Sequence, residues 1–401
     1  MALIVQKFGG TSVADTEKIF NAARIITDTY KQGNDVVAVL SAQGDMTDEL
    51  IAKANEINPN ASKREMDMLM STGEQISVAL CAMAIESLGY PVVSLAGWQA
   101  GMETNSAYGN ARIKKIASSR IREELDKRSI VIVAGFQGVN KYNDVTTLGR
   151  GGSDTTAVAI ASALGAQLCQ IYTDVDGVFT ADPNKVPGAR KLDEITYDEM
   201  LELAAMGAQV LHSRAVEMGK KHCVNLEVLS SFSGRPGTKI KEVAGVEKGS
   251  VSSVTKDDNI SVITISGLDD KPGAAFRIFS LLSRSRVGVD IILQSAPEAG
   301  KNAISFTVAR SDREQAVKVL QEYVNDGDMR VAVDDDVSKV SIVGSGMAAD
   351  PAPAANMFEA LFDAGINIRV IASGETRISV VIRRDESDKA VRVIHERFFG
   401  N

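Results

Sequence analysis

Short apolar runs alternate with longer stretches of helical periodicity over the first 245 residues. This alternation predicts an α/β domain with a mostly parallel sheet between helices. The predicted strands are Leu3 to Phe8, Val36 to Leu40, Val92 to Leu95, Ile130 to Ala134, Leu168 to Tyr172 and Val224 to Leu229. The predicted helices are Asp15 to Lys31, two helices between Glu49 and Glu86, Asp154 to Gly165, and Tyr197 to Leu203 with Thr196 as its cap. Turn-forming residues from Ser230 to Thr238 indicate that this domain, residues 1–245, is about to end.

The rest of the chain contains an internal repeat. Pro272 and Phe279 of the first copy recur as Pro351 and Phe358, at an offset of about 79 positions. Each copy reads as strand, helix, two strands and helix, which predicts two ferredoxin-like βαββαβ units that pack as a pair, with a pocket at their interface. We assign residues 246–336 to the first unit and 337–401 to the second, and the opening strand of the first is a candidate partner for the second.

Composition and charge narrow the function classes. The 401 residues carry a formal net charge of -8, with 44% hydrophobic and 24% charged residues. This acidic balance argues against a nucleic-acid partner, and an anionic substrate would need a local positive site. Met1 to Val5 lacks the features of a signal peptide, and no later run approaches the roughly 20 apolar residues of a membrane span. We therefore expect a cytoplasmic protein without a membrane partner.

Cysteine and histidine offer little chemistry in this chain. The cysteines are too few and too scattered for a disulfide framework or a zinc site, so we expect small buried side chains at Cys81, Cys169 and Cys223. The histidines show no ligand spacing, and roles on helix surfaces or as caps are favoured over catalysis for His212, His222 and His395. Any metal ion would have to arrive with a ligand.

The first predicted strand runs into a glycine turn followed by a helix. Gly9 and Gly10 would let backbone N–H groups approach a phosphate, and Lys7 would add a full positive charge. A glycine turn beside a surface lysine is the plainer alternative. The spacing matches neither a P-loop nor the Rossmann fingerprint, so a dehydrogenase is not supported.

A second glycine-rich turn, from Thr147 to Asp154, also precedes a helix. The two turns could hold opposite ends of an anionic ligand. Arg150 lies between glycines and is well placed for bidentate contact with a carboxylate, although a surface arginine is the simpler interpretation. Asp154 could serve only as a helix N-cap.

A third cluster, from Tyr172 to Lys185, follows a buried strand at its carboxyl end, where α/β sheets bind ligands. Its three aspartates lack the spacing and the final glutamate of an EF-hand calcium loop. We interpret the cluster as a hairpin around a nucleotide.

Together these segments resemble the bacterial aspartate kinases of the amino-acid kinase family. The motifs are Lys7-Phe8-Gly9-Gly10-Thr11-Ser12, Ser41-Ala42-x-Gly44, Ser71-Thr72-Gly73-Glu74, Gly149-Arg150-Gly151-Gly152-Ser153-Asp154-Thr155-Thr156 and Tyr172-Thr173-Asp174-Val175-Asp176-Gly177. They stand in the family's order, and the terminal repeat resembles the tandem ACT domains with which that family senses amino acids. The resemblance covers the whole chain and implies an amino-acid kinase fold followed by two ACT domains.

The resemblance implies ATP-dependent phosphorylation of the side-chain carboxylate of L-aspartate to 4-phospho-L-aspartate, the first step of lysine, threonine and methionine biosynthesis. It implies that Lys7 neutralises the transferring phosphoryl group and that Asp154 orients Lys7, or the solvent and magnesium. The residues implied on the ATP side are Lys7, Gly9, Gly10, Ser41, Thr173, Asp174, Phe179, Thr180, Asp182 and Lys185. Those implied to bind aspartate are Thr47, Glu74, Arg150, Gly151, Gly152 and Ser153, with Glu74 facing the ammonium and Arg150 a carboxylate.

This chemistry suits the residues present. The aspartate carboxylate is already ionised at neutral pH, so no general base is required. The site must instead align two anions and cancel their charge, through lysine, backbone N–H groups and Mg²⁺. ATP and Mg²⁺ are therefore the implied cofactors.

The implied effector site lies in the first ACT unit, whose loop keeps the family pattern. Its residues, with two from the second unit, are Asp270, Lys271, Pro272, Gly273, Ala275, Gly288, Val289, Asp290, Gln294, Asn367 and Ile368. A helix cap and a strand edge are the plainer interpretation. The implied effector is threonine, lysine or both, acting by a population shift, and the family analogy implies a homo-oligomer through the ACT units.

Two departures from the family pattern keep alternatives open. Gln209 stands where the family commonly has a lysine near the nucleotide, for which Lys185 or Lys220 could compensate, and Pro351-Ala352 replaces a Pro-Gly in the second ACT unit. A catalytically weak amino-acid sensor is therefore one alternative, disfavoured by the joint presence of Lys7, Arg150 and Asp154. A glutamate or acetylglutamate kinase is the other, disfavoured by the ACT repeat and the first glycine turn.

Overall fold

The computed structural model describes residues 1–206, 210–242, 251–324, 329–347 and 350–400. The chain divides into two compact units. The first comprises Met1–Phe179 and Lys191–Lys248, and the second comprises Thr180–Arg190 and Gly249–Asn401. The segment Thr180–Arg190 thus interrupts the first unit in sequence but belongs to the second, and we call this segment the excursion. Gln209, where the sequence departs from the family pattern, lies outside the described residues.

The first unit contains a large sheet, a small sheet and eight helices among its described residues. Its strands are β1 (Leu3–Phe8), β2 (Asp35–Leu40), β3 (Val92–Leu95), β4 (Met102–Thr104), β5 (Ile113–Ile116), β6 (Ile130–Ala134), β7 (Gln137–Val139), β8 (Val145–Thr147), β9 (Leu168–Thr173), β10 (Glu194–Thr196), β11 (Leu226–Ser230) and β12 (Thr238–Lys241). Its helices are α1 (Thr16–Lys31), α2 (Met46–Ile57), α3 (Lys63–Met70), α4 (Thr72–Ser87), α5 (Ser119–Asp126), α6 (Gly152–Leu164), α7 (Tyr197–Ala205) and α8 (Ser213–Lys221).

Within the described residues, eight strands form the large sheet in the order β10-β12-β11-β9-β1-β2-β6-β3, and β5-β4-β7-β8 form a small one. In the large sheet only the β11–β12 pairing is antiparallel, again among the described residues. The predicted fold class is confirmed. β6 is buried along its whole length and β2 over all but its first residue, as expected for parallel strands covered by helices on both faces.

The local signals of the sequence explain several element ends. Asp15 caps α1 by accepting a hydrogen bond from the Lys18 N–H at 2.9 Å. Thr196 caps α7 as predicted, and Glu199 completes a capping box there. The four strands of the small sheet and the helices α5 and α8 were not predicted. Strands of three or four residues are too short to show a period-2 pattern.

The second unit contains the two repeats. Its strands are β13 (Ser253–Asp257), β14 (Ile260–Asp269), β15 (Val289–Gln294), β16 (Lys301–Ala309), β17 (Arg330–Asp334), β18 (Val337–Val343), β19 (Val370–Ser373) and β20 (Arg377–Arg383). Its helices are α9 (Ala274–Arg284), α10 (Arg313–Val324), α11 (Ala352–Asp363) and α12 (Ser387–Phe399).

Each repeat forms an antiparallel sheet, in the orders β15-β16-β14-β17 and β13-β18-β20-β19. The first repeat has the full βαββαβ order. The second repeat takes its fourth strand from β13, which precedes the first repeat in sequence and pairs with β18. The first repeat is therefore inserted between the strands of the second, the pairing that the sequence left as a candidate.

The excursion Thr180–Arg190 is embedded in the second repeat. Ala181 and Val186 are buried in its apolar core, and the Thr180 hydroxyl lies 2.8 Å from His395 Nε2 on α12. The Val254 N–H donates to the Thr180 carbonyl oxygen at 2.7 Å, which ties the excursion to β13. Burial lowers the pKa of His395, an effect to which the nearby Arg190 adds. His395 is thus a buried, hydrogen-bonded side chain rather than a surface one.

One further expectation needs correction. Cys81 and Cys169 are buried as predicted, but Cys223, which lies just after the end of α8, is exposed. One helical stretch, Lys63–Ser87, is long and apolar enough to cross a membrane by length and composition alone. Half of its most apolar part is buried within the protein, as in the core helix of many soluble proteins, so this stretch is weak evidence for a membrane span.

Candidate active site

The carboxyl ends of β1, β2 and β9 lie side by side at one edge of the large sheet. The glycine turn after β1 is fastened to both neighbours: the Gly9 N–H donates to the Tyr172 carbonyl oxygen at 3.2 Å, and the Ser41 N–H donates to the Phe8 carbonyl oxygen at 3.1 Å. The Phe8 and Tyr172 rings stack below the turn with centroids 4.7 Å apart. The turn is therefore held rigidly at the edge where α/β sheets bind ligands.

The surroundings of the two glycines in this turn differ, and only those of Gly10 require a glycine. A Cβ at Gly10 would lie 2.8 Å from the Ala42 carbonyl oxygen, so a side chain would push the turns after β1 and β2 apart. A Cβ at Gly9 would lie 3.4 Å from Lys7 Nζ. Glycine therefore leaves open the space beside the ammonium, where a phosphate could enter.

Lys7 and Asp154 form an ion pair at this edge. Lys7 Nζ lies 2.7 Å from Asp154 Oδ1, and both side chains are nearly buried. Asp154 projects from the first turn of α6, where a negative charge also suits the helix dipole. The structure thus brings together the two residues for which catalytic roles were predicted, one from the strand before the first glycine turn and one from the helix after the second.

The second glycine turn leads directly into α6. Gly149 and Gly151 have φ of 77° and 67°, values that favour glycine, and they flank Arg150. A Cβ at Gly151 would lie 2.2 Å from the His212 Cβ, so this histidine covers the turn closely. His212 caps α8, as the sequence suggested, and its N–H reaches Asp154 Oδ2 at 3.4 Å. Burial lowers the pKa of the His212 imidazole.

The Arg150 side chain is exposed, and among the described residues no ion pair or hydrogen bond of its guanidinium is found. Its five donors are therefore available for an anionic ligand.

Glu74 is a buried carboxyl next to the turn after β2. It is only 3% exposed, and its Oε1 accepts the Ala42 N–H at 3.2 Å. Its Oε2 is buried without a hydrogen-bond partner in the described part of the chain. Burial raises the pKa of Glu74 to about 8. A cationic ligand group would supply both the missing partner and the missing charge.

The remaining residues predicted to bind aspartate lie on adjoining elements. Thr47 is half-buried in the first turn of α2. Ser153 is buried in the first turn of α6, where its side chain packs so closely on Gly135 that a Cβ there would lie 2.7 Å away. Gly73 lets the start of α4, which carries Glu74, press against Ala42.

The residues predicted to surround ATP fall into two groups. Thr173 ends β9, and Asp174 and Phe179 follow it in the first unit. The Thr173 hydroxyl donates to Asp174 Oδ1 at 3.0 Å. Thr180, Asp182 and Lys185 lie in the excursion that belongs to the second unit, where Lys185 Nζ is 3.5 Å from Asp388. The structure therefore does not bring the six residues into one unit, and the Thr180 hydroxyl is already engaged by His395.

Ser231 is a residue of this edge that the sequence did not identify. Its N–H donates to the Thr173 carbonyl oxygen at 2.9 Å, and its hydroxyl lies 2.8 Å from that of Ser12 in the first glycine turn. Asn21 of α1 donates to its carbonyl oxygen at 2.6 Å. The sequence showed only a turn-rich segment here, because these three partners are distant along the chain.

The donor set suits ATP and a magnesium ion bound mainly through phosphate. The space beside Lys7 that a Cβ at Gly9 would fill can take a phosphate group. Within the described ranges, no group of three or more His, Cys, Asp or Glu side chains could hold a metal by itself. Mg²⁺ commonly binds through one or two carboxylates plus substrate phosphates, a role open to Asp154 and Asp174.

The residues predicted for the effector site lie in the second compact unit, which contains both repeats. Asp270 accepts a hydrogen bond from Asn302 at 3.3 Å, and Gly273, with φ of 105°, caps α9. Asp290 of β15 pairs with two cations of the second repeat, the buried Lys339 at 2.6 Å and Arg377 at 3.0 Å. Although burial alone would raise the pKa of Asp290, these cations hold it below its ordinary value. The predicted effector strand thus links the two repeats.

Comparison with known proteins agrees with this architecture. The profile of the amino acid kinase family matches residues 2–230, and the ACT domain profile matches residues 260–323 and 340–398. An aspartokinase of Corynebacterium efficiens is 49% identical over 405 residues, covering 99% of this chain and 96% of the relative. An aspartokinase of Geobacillus stearothermophilus is 49% identical over 399 residues, covering 99% and 97%.

Two solved structures of one bacterial enzyme are similar over the whole chain. Escherichia coli aspartokinase III in complex with aspartate and ADP, described as the R-state, superimposes with a TM-score of 0.84 at 25% identity, covering 99% of this chain and 100% of that one. The same enzyme in complex with lysine and aspartate, described as the T-state, gives a TM-score of 0.78 at 26% identity, with 99% coverage of both chains.

Proposed function

Because this chain belongs to the amino acid kinase family, and within it to the aspartokinases, we propose that its candidate active site transfers the terminal phosphoryl group of ATP to the side-chain carboxylate of L-aspartate. The product is 4-phospho-L-aspartate. The observation that carries the assignment of the site is the Lys7–Asp154 ion pair at 2.7 Å, which joins the strand before the first glycine turn to the helix after the second.

The chain's own residues align the two anions and neutralise their charge. Lys7, kept in place by Asp154 before any ligand arrives, faces the phosphoryl group, and the glycine turn at Gly9 and Gly10 leaves room for it on the same side. Ser41 follows β2 at the neighbouring position. The acceptor carboxylate is ionised at neutral pH, so the site needs no general base. Exclusion of water then protects the acyl phosphate.

Aspartate is held at both of its ends. Glu74 binds the α-ammonium, which completes the hydrogen bonding of its buried Oε2, and Arg150 binds a carboxylate through its free guanidinium. Thr47, Ser153 and the glycines of the second turn, Gly151 and Gly152, complete this side of the site.

Thr173, Asp174 and Phe179 of the first unit line the ATP side of the site. Thr180, Asp182 and Lys185, which the family resemblance also implied for ATP, belong to the second unit. Asp154 and Asp174 would hold a Mg²⁺ ion that is also bound by the phosphates of ATP, and the ion would supply neutralisation of their charge. The need for ATP favours a cytoplasmic location.

The second compact unit, which contains both ACT repeats, binds an amino-acid effector: threonine, lysine or both. The effector site includes Asp270 to Gly273, Ala275, Gly288 to Asp290, Gln294, Asn367 and Ile368. E. coli aspartokinase III has been solved with lysine, which supports an amino-acid effector for this chain as well. Apolar side chains exposed on the edge strands, Ile292 and Leu293 on β15 and Ile371 on β19, support association of ACT units between chains.

A trapping assay tests the proposed reaction. The chain is incubated with ATP, Mg²⁺ and hydroxylamine and with aspartate, glutamate or N-acetylglutamate, and the acyl phosphate is measured as its hydroxamate. We expect hydroxamate with aspartate and little with the other two acids. Absence of product with aspartate would refute the reaction, and a preference for glutamate or N-acetylglutamate would assign a different kinase of this family.

A further inference from the structure

A buried carboxylate outside the residues assigned so far organises the turn that carries Arg150. Asp67 lies on α3 and is 0% exposed. Its two oxygens accept the Thr147 N–H at 3.0 Å, the Thr147 hydroxyl at 2.6 Å and the Gly109 N–H at 2.9 Å. Three donors thus converge on the two oxygens of one side chain.

The segments that Asp67 joins are the base of the second glycine turn and the loop beside it. Thr147 is the last residue of β8, three positions before Arg150. Gly109 lies against the turn itself, because a Cβ at Gly149 would lie 3.1 Å from the Gly109 carbonyl oxygen. Asp67 therefore fixes both the start of the turn and the wall beside it.

Arg214 of α8 holds the same two segments from another element. Its guanidinium donates to the Leu148 carbonyl oxygen at 2.5 Å and, on the loop side, to Asn110 Oδ1 at 3.2 Å and the Ala111 carbonyl oxygen at 2.9 Å. The Ala111 N–H in turn donates to the Thr147 carbonyl oxygen at 2.8 Å. The two charged side chains thus hold the turn and the neighbouring loop mainly through backbone groups.

From this geometry we infer that Asp67 is a positioning residue for aspartate binding, acting through the backbone of the Arg150 turn. The Arg150 side chain has no partner of its own within the described residues, so its direction in the ligand-free protein depends on how the turn is held. An error of about 1 Å in such a group can cost up to about a hundredfold in rate or affinity. This inference rests on the proposed role of Arg150.

The test compares Asp67→Asn with wild type in steady-state kinetics for both substrates. The amide NH₂ would face a backbone N–H, so one donor loses its acceptor. We expect the KM for aspartate to rise about tenfold, with the KM for ATP and kcat changed less than about twofold. Thr147→Val removes only the hydroxyl and should move the same constant in the same direction by less. It also carries the test if Asp67→Asn does not fold.

A matched control and a double mutant separate positioning from general destabilisation. Glu199→Gln alters a carboxyl that is also buried, 3% exposed, and that accepts the N–H and hydroxyl of Thr196. It should lower stability without raising the KM for aspartate. Adding Asp67→Asn, or Thr147→Val, to Arg150→Ala should cause little further rise, because the positioned group is already gone.

The outcomes are distinguishable. If Arg150→Ala leaves the KM for aspartate unchanged, the proposed role of Arg150 fails. If Arg150→Ala raises it but the folded Asp67→Asn and Thr147→Val variants do not, or if they raise both KM values equally, the positioning role of Asp67 is wrong.

Discussion

Aspartate binding should depend steeply on pH because of Glu74. This carboxyl is 3% exposed, burial raises its pKa to about 8, and its Oε2 lacks a partner in the described structure. If the ionised form binds the substrate ammonium, about one molecule in ten is ready at pH 7 and about one in a hundred at pH 6. Ionising the group before binding then costs about 1.4 kcal/mol at pH 7 and twice that at pH 6. The KM for aspartate should therefore fall about tenfold per pH unit between pH 6 and 7.5.

The assay is the hydroxamate reaction at saturating ATP over this pH range, with the KM for ATP as the internal control. Glu74→Gln should bind aspartate weakly, with a KM that no longer follows pH. A flat KM for aspartate in the wild-type chain would refute the reasoning, since it would mean that Glu74 is either ionised throughout or not in contact with the ammonium.

The same group makes a prediction for stability, with its sign fixed by linkage. Between pH 4.5, the ordinary pKa, and about 8, the folded chain holds a proton on Glu74 that the unfolded chain has released. The contribution of this group to the free energy of unfolding therefore falls as pH rises through that window. Glu74→Gln removes this loss, so the variant should be more stable than wild type near pH 8, as measured by denaturant unfolding, while binding aspartate less well.

The other predictions concern charge, backbone and effector. Lys7→Ala should lower kcat by about a hundredfold or more, whereas Arg150→Ala should mainly raise the KM for aspartate; unchanged kinetics in both would remove the site. Gly151→Ala and Gly165→Ala form a matched pair, because both glycines have φ of 67°. They differ in their surroundings: a Cβ at Gly151 would lie 2.2 Å from His212, whereas a Cβ at Gly165 would have no neighbour within 4 Å. Gly165→Ala should lower the free energy of unfolding by about 1–2 kcal/mol and keep full activity, whereas Gly151→Ala should lose activity. If the two variants behaved equally in thermal unfolding and in kinetics, the close packing of His212 on Gly151 would be contradicted. Gln294→Ala should weaken inhibition when threonine and lysine are titrated singly and together, and equal inhibition would refute the effector pocket.

Much of the fold could be predicted because its signals are local. Strands β1, β2 and β6 are apolar runs, Asp15 and Thr196 mark helix starts, and a repeated spacing marks the two ACT units. Residues whose role depends on distant partners could not be found this way. Asp67 looks like one more polar residue of a helix, and Ser231 like part of a turn, because their partners lie 80 and 219 positions away. The assignment of Thr180 to the second unit has the same cause, since its partner His395 is 215 positions away.

Because the chain is acidic overall, the positive charge that two anionic substrates need has to come from individual residues of the site. With a net charge of -8, the protein attracts neither ATP nor aspartate at long range, so the positive field must be local. An unpaired lysine as deeply placed as Lys7 would pay for its burial, and Asp154 offsets that cost at 2.7 Å while keeping the ammonium aligned. Glu74 is a buried acid without a cationic partner, and it avoids an unpaired negative charge by keeping its proton until a cationic ligand group binds. Arg150 is exposed, so its charge needs neither a paired carboxylate nor a stored proton. The position of its guanidinium instead depends on the turn that carries it, and Asp67 holds that turn through Thr147.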